Sequence, residues 1–424
     1  MDDPTWLASA LTSARPQAMA ALLRYFRDLD VAEEAFQEAC LRALKRWPQQ
    51  GPPRDAAAWL VMVGRNAGID ATRRRSRTVP LPEGEEGPAR DHDPESVIAE
   101  HLDAADYRDD VLRLLFICCH PELPATQQIA LALRIVAGLS TAQIASAFLV
   151  GESAMEQRIT RAKARIAAHE VPFEPPSGPA RAERFVVVAA MLYLVFNEGY
   201  SRAGAQLALC DEAIRLSRLL LRLFPGEPEM MGLTALMLLQ HARSGGRFDA
   251  AGELILLEDQ DRTTWNHSMI GEGLALIDKA LRHRQPGPYQ VQAAIAGLHA
   301  RAQTPAETDW LQIDLLYATL AALLPSPVVT LNRAVAVAKT RGPEAALALI
   351  EPLASRLSGY FYFFGLRGGL LLQLGRHAEA RVAFNQSIAL ANSSAEAAHI
   401  RQQLDRLERD ARTGAREESP SDVG

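Results

Sequence analysis

Aromatic residues are scarce, with Phe, Tyr and Trp together making up 6% of the 424 residues. Ala and Leu are abundant instead, a balance that favours helices over sheets. Cysteine is scarcer still. The four residues Cys40, Cys118, Cys119 and Cys210 show no paired spacing, which argues against a disulfide framework. Residues 118–120 read Cys-Cys-His, a run open to two readings: buried helix residues, or metal or redox chemistry. No second ligand cluster lies nearby, and adjacent cysteines on a helix point in different directions. No metal and no other cofactor is expected. Long apolar runs are also lacking, because the longest, Phe185 to Phe196, is too short to span a bilayer. The opening MDDPTWLASA has neither the basic start nor the apolar core of a signal peptide. The expectation is a cytoplasmic protein without a membrane partner. A strong excess of one charge is missing too, since the formal net charge is -6, so any contact with nucleic acid has to be local.

The charges that are present are segregated. Arg54, Arg65, Arg73, Arg74, Arg75 and Arg77 face only Asp55 and Asp70 in the same stretch, and Arg158, Arg161, Lys163 and Arg165 form a second basic cluster. Acid dominates between them, at Glu83, Glu85, Glu86, Asp91, Asp93, Glu95, Glu100 and Asp103.

The length suits two to four domains. Helical periodicity runs through residues 16–47, with Leu22, Leu23, Phe26 and Leu29 on one face, followed by Ala32, Ala35, Phe36, Ala39 and Ala43. Pro48, Gly51, Pro52 and Pro53 are expected to break the chain before a helix resumes at Trp59. A Pro-, Gly- and acid-rich linker covers 79–105, a helical block 106–170 and a Pro-rich linker 171–180. Helix follows helix over 181–412, and 413–424 reads as a disordered tail. Phe364 to Asn392 resembles a tetratricopeptide unit, with small residues at Gly368 and Ala380, a turn at Gly375 and Phe384 beyond it. A degraded copy spans Val329 to Leu353, with its turn at Gly342-Pro343. The expected fold class is all-α.

Residues 138–166, GLSTAQIASAFLVGESAMEQRITRAKARI, have a helix-turn-helix pattern. Ser140 and Gln143 fit a capping box. Leu139, Ile144 and Phe148 supply an apolar face, and Leu149-Val150-Gly151 the turn. The second helix turns Ile159 and Ile166 inward and leaves Gln157, Arg158, Arg161 and Lys163 to meet phosphates and base edges. A solvated basic helix in a bundle is the alternative. Glu156 suits either a capping box with Ser153 or acceptance from a cytosine.

Two motifs in this order resemble the sigma-70 family. DVAEEAFQEACLRAL from Asp30 is similar to the acidic helix of sigma region 2, which docks on the clamp helices of the polymerase beta-prime subunit. WLVMVGRNAGIDATRRR from Trp59 is similar to the segment that melts and reads the promoter -10 element. The helix-turn-helix resembles sigma region 4, which reads the -35 element. The absence of region 3 resembles the extracytoplasmic-function (ECF) group. The resemblance implies a non-catalytic specificity subunit that binds core RNA polymerase, beta subunit included, and promoter DNA. Region 2 would be 1–78 and region 4 106–170.

The roles it implies follow residue by residue. Asp30, Glu33, Glu34, Gln37 and Glu38 would meet the polymerase, with a solvated acidic face as the alternative. Arg54, Arg65, Asn66, Arg73, Arg74, Arg75 and Arg77 would meet the -10 DNA. Ser153, Gln157, Arg158, Arg161 and Lys163 would meet the -35 DNA. Asn66 can read a base edge or pair with Asp70, and Trp59 is a core residue or a stacking platform. Arg54 and Asp55 are the polar candidates in the loop that takes a flipped base.

The stretches YLVFNEGYS, LLEDQDRTTWN and PSPVVTLNRAVAVA extend the resemblance to an ECF subgroup with a tetratricopeptide-like C-terminal extension and built-in regulation. Within it, Glu258, Asp259, Asp261, Arg262 and Trp265 form either a surface for a regulatory protein or ligand, or a loop tied by local hydrogen bonds. Asn197, Glu198, Tyr200 and Arg202 are a similar candidate. No catalytic constellation is present in this half.

Overall fold

The computed structural model describes residues 4–51, 53–76, 104–120, 122–148, 150–168, 178–200, 207–249, 255–391, 400, 401, 403 and 404. Every regular element among them is helical. The chain divides into two compact units, Met1–Phe224 and Pro225–Gly424.

The first unit begins with α1 (Pro4–Phe26), α2 (Leu29–Gln50) and α3 (Ala56–Ser76), which pack on one another. The periodic stretch 16–47 is broken at Arg27, whose φ is 54°, and Asp28 caps α2 by accepting from the Asp30 and Val31 amides at 2.9 and 3.0 Å. Pro48 does not end α2. It is accommodated in the last turn, and the break falls at Gly51, whose φ of 82° suits glycine. Trp47 and Trp59 meet edge to face at 5.3 Å, and both are buried. That places Trp59 in the core. Gly64 lets α3 approach closely, since a Cβ there would lie 3.0 Å from the Ala35 carbonyl oxygen.

The unit continues with α4 (Ala104–Cys118), α5 (Ala125–Ala132), a π-helical turn (Leu133–Ala137), α6 (Thr141–Ala147) and α7 (Glu152–Ala168). The expected capping box forms: Gln143 donates its amide to Ser140 Oγ at 3.1 Å, and Ser140 donates its own to Gln143 Oε1 at 2.8 Å. Two further helices, α8 (Gly178–Tyr200) and α9 (Leu207–Leu223), belong to this unit. The cause is aromatic packing, with Phe185 edge to face on Phe116 at 6.2 Å and on Phe224 at 5.1 Å.

Cys118 and Cys119 are buried within this packing. Burial pushes the Cys119 thiol up to about 12 and that of Cys118 well above its usual value, with the neighbouring Cys119 adding to the latter. Both stay protonated, the form that neither binds metal nor attacks electrophiles. Among the described residues no cluster of His, Cys, Asp and Glu suits a metal ion. Iodoacetamide at pH 8 is expected to leave both thiols intact in the folded protein and to alkylate them only in denaturant, as read by mass spectrometry.

The second unit consists of α10 (Pro228–His241), α11 (His267–Leu281), α12 (Pro288–Arg301), α13 (Trp310–Leu323), α14 (Pro327–Arg341), α15 (Pro343–Ile350), α16 (Phe361–Gln373) and α17 (His377–Leu390). Met230 to Leu239 of α10 are buried on every side, as suits a helix packed against both α11 and α12. Glu229 ties α10 to its neighbour by accepting from the Tyr289 and Gln290 amides at 3.0 and 3.2 Å, where a carboxylate suits the N-terminus of α12. Further on, consecutive helices pair. The turns fall at Gly342, with φ 90°, and Gly375, with φ 69°, both at the positions the repeat pattern indicates. A Cβ on Gly368 would lie 2.6 Å from the Phe384 ring, so α16 and α17 touch where the tetratricopeptide pattern has its small residue.

Candidate polymerase and promoter interfaces

Burial of one face by α1 and α3 aligns the acidic residues of α2. Asp30, Glu34 and Gln37 are exposed and Glu38 is half-buried. Glu38 accepts from Arg42 at 2.9 Å. Leu41 and Leu44 continue this surface at 54% and 49% exposure. Sequence alone does not single them out, because an apolar residue in an amphipathic helix reads by default as core.

Glu33 departs from this pattern, being only 5% exposed. Its carboxylate pairs with Arg134 at 2.9 Å and with Lys163 at 2.7 Å, and Gln37 Nε2 donates to it at 3.4 Å. Lys163 also reaches Asp30 at 2.7 Å. A cleft of about 300 Å³ is lined by Asp30, Glu33, Arg134, Thr141, Glu156 and Lys163, among others. Burial lowers the Lys163 ammonium, but its hydrogen bonds to Asp30 and Glu33, with their charges, more than offset this and raise it, so it stays charged at neutral pH.

The π-helical turn supports this arrangement. Its register leaves carbonyls for Arg15, which donates to Ile135 O at 3.0 Å and to Arg134 O at 3.1 Å. Gly138 closes the turn at φ 82°, and a Cβ there would meet Arg15 Cδ at 2.7 Å.

Of the residues expected to meet -10 DNA, Arg65 and Asn66 are exposed on α3, and the Arg65 guanidinium lies 4.4 Å from the Tyr25 ring centre. Arg54 is exposed, whereas Asp55 caps α3 by accepting from the Ala58 amide at 3.0 Å. Arg73, Arg74 and Arg75 fall at the end of α3 with side chains outside the described residues, and Arg77 lies wholly outside them.

In the helix-turn-helix, Ile144, Ala145, Met155, Ile159 and Ala162 are buried, while Ile166 is half-buried. Ser153, Gln157 and Arg161 are exposed and Arg158 is half-buried. Helix α7 starts at Glu152, so Ser153 stands within the first turn and not at the cap. Of the five residues on this helix assigned to DNA, Lys163 is the one whose charge is spent on carboxylates of α2.

In the second unit, the 258–266 loop is tied largely to itself and its neighbours. Asp261 accepts from the Thr263 amide and hydroxyl at 2.9 and 2.7 Å, which holds its carboxyl below the usual range. Arg262 donates to His299 O at 2.8 Å and to Ala302 O, satisfying the end of α12. Glu258 pairs with Lys339 at 3.2 Å, and Asp259 is exposed. Trp265 is 3% exposed, with Arg262 5.2 Å from its ring centre, so its indole is not presented to solvent. Asn197, Glu198 and Tyr200 are half-buried near the end of α8, and Arg202 lies outside the described residues.

Burial, with Arg243 and Arg262 nearby, pulls His299 from 6.5 down to about 4. Between these values the unfolded chain takes up a proton that the fold refuses, so stability is complete above about pH 6.5 and falls as acid is added. The loss reaches up to about 3 kcal/mol. Thermal melts from pH 7.5 to 4.5 should show it, and His299→Gln should flatten that slope.

Three stretches of the chain match family models: Sigma-70 region 2 over residues 11–78, Sigma-70, region 4 over residues 113–166, and a family of unknown function, DUF6596, over residues 184–281. The chain is 68% identical over 422 residues to the uncharacterized protein R00370 of Rhizobium meliloti (strain 1021), covering 99% of this chain and 100% of that one. Yeast Tom70 aligns over 96% of this chain and 86% of its own at 13% identity, with a TM-score of 0.39, too weak a likeness to assign the second unit. With both sigma modules in one chain, in order, the protein belongs to the sigma-70 family of sigma factors, which act in promoter recognition and transcription initiation.

Proposed function

We propose that this protein is an ECF-type sigma factor, acting in the cytoplasm, whose α2 docks on the beta-prime clamp helices while region 4 lies against the beta subunit. The observation that carries the docking reading is the surface of α2, where Glu34, Gln37 and Glu38 run into exposed Leu41 and Leu44. Carboxylates suit a basic partner, and two exposed leucines supply the apolar centre that an interface needs. Arg54, Arg65, Asn66 and the arginines of 73–77 meet the -10 region. Ser153, Gln157, Arg158, Arg161 and, once released, Lys163 meet the -35 region. Phosphate contacts of this number make promoter binding steeply salt-dependent. The chain itself catalyses no bond change. The helical extension regulates the sigma modules through a protein or ligand of its own.

Purified core polymerase tests this with the full chain and with residues 1–224, a cut that preserves the packing of Phe116, Phe185 and Phe224. Both are expected to be retained by core, with different affinities. Retention of neither removes the sigma reading of α2 and leaves a duplex-binding regulator. Equal affinity and equal promoter-directed transcription remove the regulatory role of the extension.

A further inference from the structure

We propose that the four-residue ionic contact of Asp30, Glu33, Arg134 and Lys163 is an autoinhibitory lock that closes region 4 over the polymerase-binding helix and must open for core polymerase to bind. The proposal rests on the docking role of α2 set out above.

The contact joins two charges from α2 to one from the π-helical turn and one from α7, at 2.7 to 2.9 Å. Two carboxylates meet two cations, so the cluster is neutral. Glu33 is nearly fully buried while Asp30 is exposed, which makes Glu33 the member most dependent on its partners. A buried carboxylate deprived of its cations is strongly disfavoured, so opening requires a substitute partner or water. A basic polymerase surface is such a substitute. The same contact occupies a residue of each functional surface: Glu33 is taken from the polymerase face and Lys163 from the DNA face. One closed state therefore masks part of both. Packing of α1 on α4 and on the π-helical turn also holds the closed state, whereas the charges contributed by α2 allow that part of the contact to be exchanged for a charged partner.

The supporting framework is also specific to the closed state. Arg15 of α1 holds the π-helical turn through two carbonyls, and Arg134 lies within that turn. Gly138 leaves room for Arg15. Arg134 thus reaches Glu33 from a backbone that α1 itself positions, and it belongs to neither proposed binding surface.

Two readouts on the full chain test the lock. Spin labels at Lys45 and Ala167, both exposed, in a Cys40→Ser background report the separation of α2 from α7. A single short distance is expected for the otherwise native chain. Lys163→Glu should lengthen or broaden it, and Lys163→Arg, which keeps the charge facing Asp30 and Glu33, should leave it short. Core polymerase affinity is then measured for Arg134→Ala, which leaves both binding surfaces intact. If the closed state holds most of the population, loosening it should tighten apparent affinity about tenfold. Unchanged distances in Lys163→Glu would overturn the lock, as would a loosened Arg134→Ala protein that binds core no better than the parent. If no form binds core while the distances respond as stated, the docking reading of α2 has failed and the intramolecular contact stands without its inhibitory role.

Discussion

The double reversal Glu34→Lys with Glu38→Lys is expected to weaken binding of core polymerase about a hundredfold or more, while leaving the fold in place. Both side chains lie on the solvent side of α2, and the Glu38–Arg42 pair is itself exposed at 44% and 42%. Surface pairs of this kind contribute about 1 kcal/mol or less, so thermal stability should change little. The interface loses much more, because two attractions become two repulsions against a basic partner, at a cost of several kcal/mol. Neither residue belongs to the Glu33–Lys163 contact, so the effect is separable from opening of the first unit. Titration of core polymerase with the fluorescently labelled full chain measures it. Unchanged affinity would mean that α2 is a solvated face and that the polymerase binds elsewhere.

Phe384→Ala should destabilise the end of the second unit by about 3–5 kcal/mol. The Phe384 ring is 1% exposed and lies against Gly368 of the facing helix. Around it the buried cluster includes Phe361, Phe363, Leu370, Leu371, Ala380 and Ala383. Removing the ring leaves a void that the helices fill only in part. Since helix pairs in such an array contact chiefly their neighbours, the damage should be local. Hydrogen exchange should show protection lost over α16 and α17 while the sigma modules keep theirs. Protection lost equally throughout would contradict a repeat-like organisation.

Much of the local structure was legible in the sequence because its causes lie within a few residues. Ser140 and Gln143 are three apart and form their box whatever packs around them. Gly342 and Gly375 stand where the backbone turns to positive φ, a demand that a glycine announces. Where local signals competed, reading was harder. Pro48 reads as a break, yet it is tolerated near the end of α2 because few helical bonds remain there to lose. Of the two readings open for Glu156, the capping box with Ser153 has the right spacing, but the turn ends earlier and puts Ser153 inside the helix.

The sequence by itself determined the helical class, the order of the two sigma modules, the segregation of acid onto α2 and base onto α7, and the turns between repeat-like helices. These follow from composition, periodicity and short-range hydrogen bonding. Only the tertiary structure decided which charges meet. Glu33 and Lys163 are separated by 130 positions, and helical periodicity, which sets Glu33 beside the apolar face of α2 and Glu34 opposite it, names no partner for Glu33. The difference arises because adjacent side chains on a helix point in different directions. Packing of α2 directs Glu33 toward Arg134 and Lys163 and Glu34 toward solvent. Likewise, α8 joins the first unit because Phe185 finds Phe116 and Phe224, a choice made by shape and burial between residues far apart in the chain.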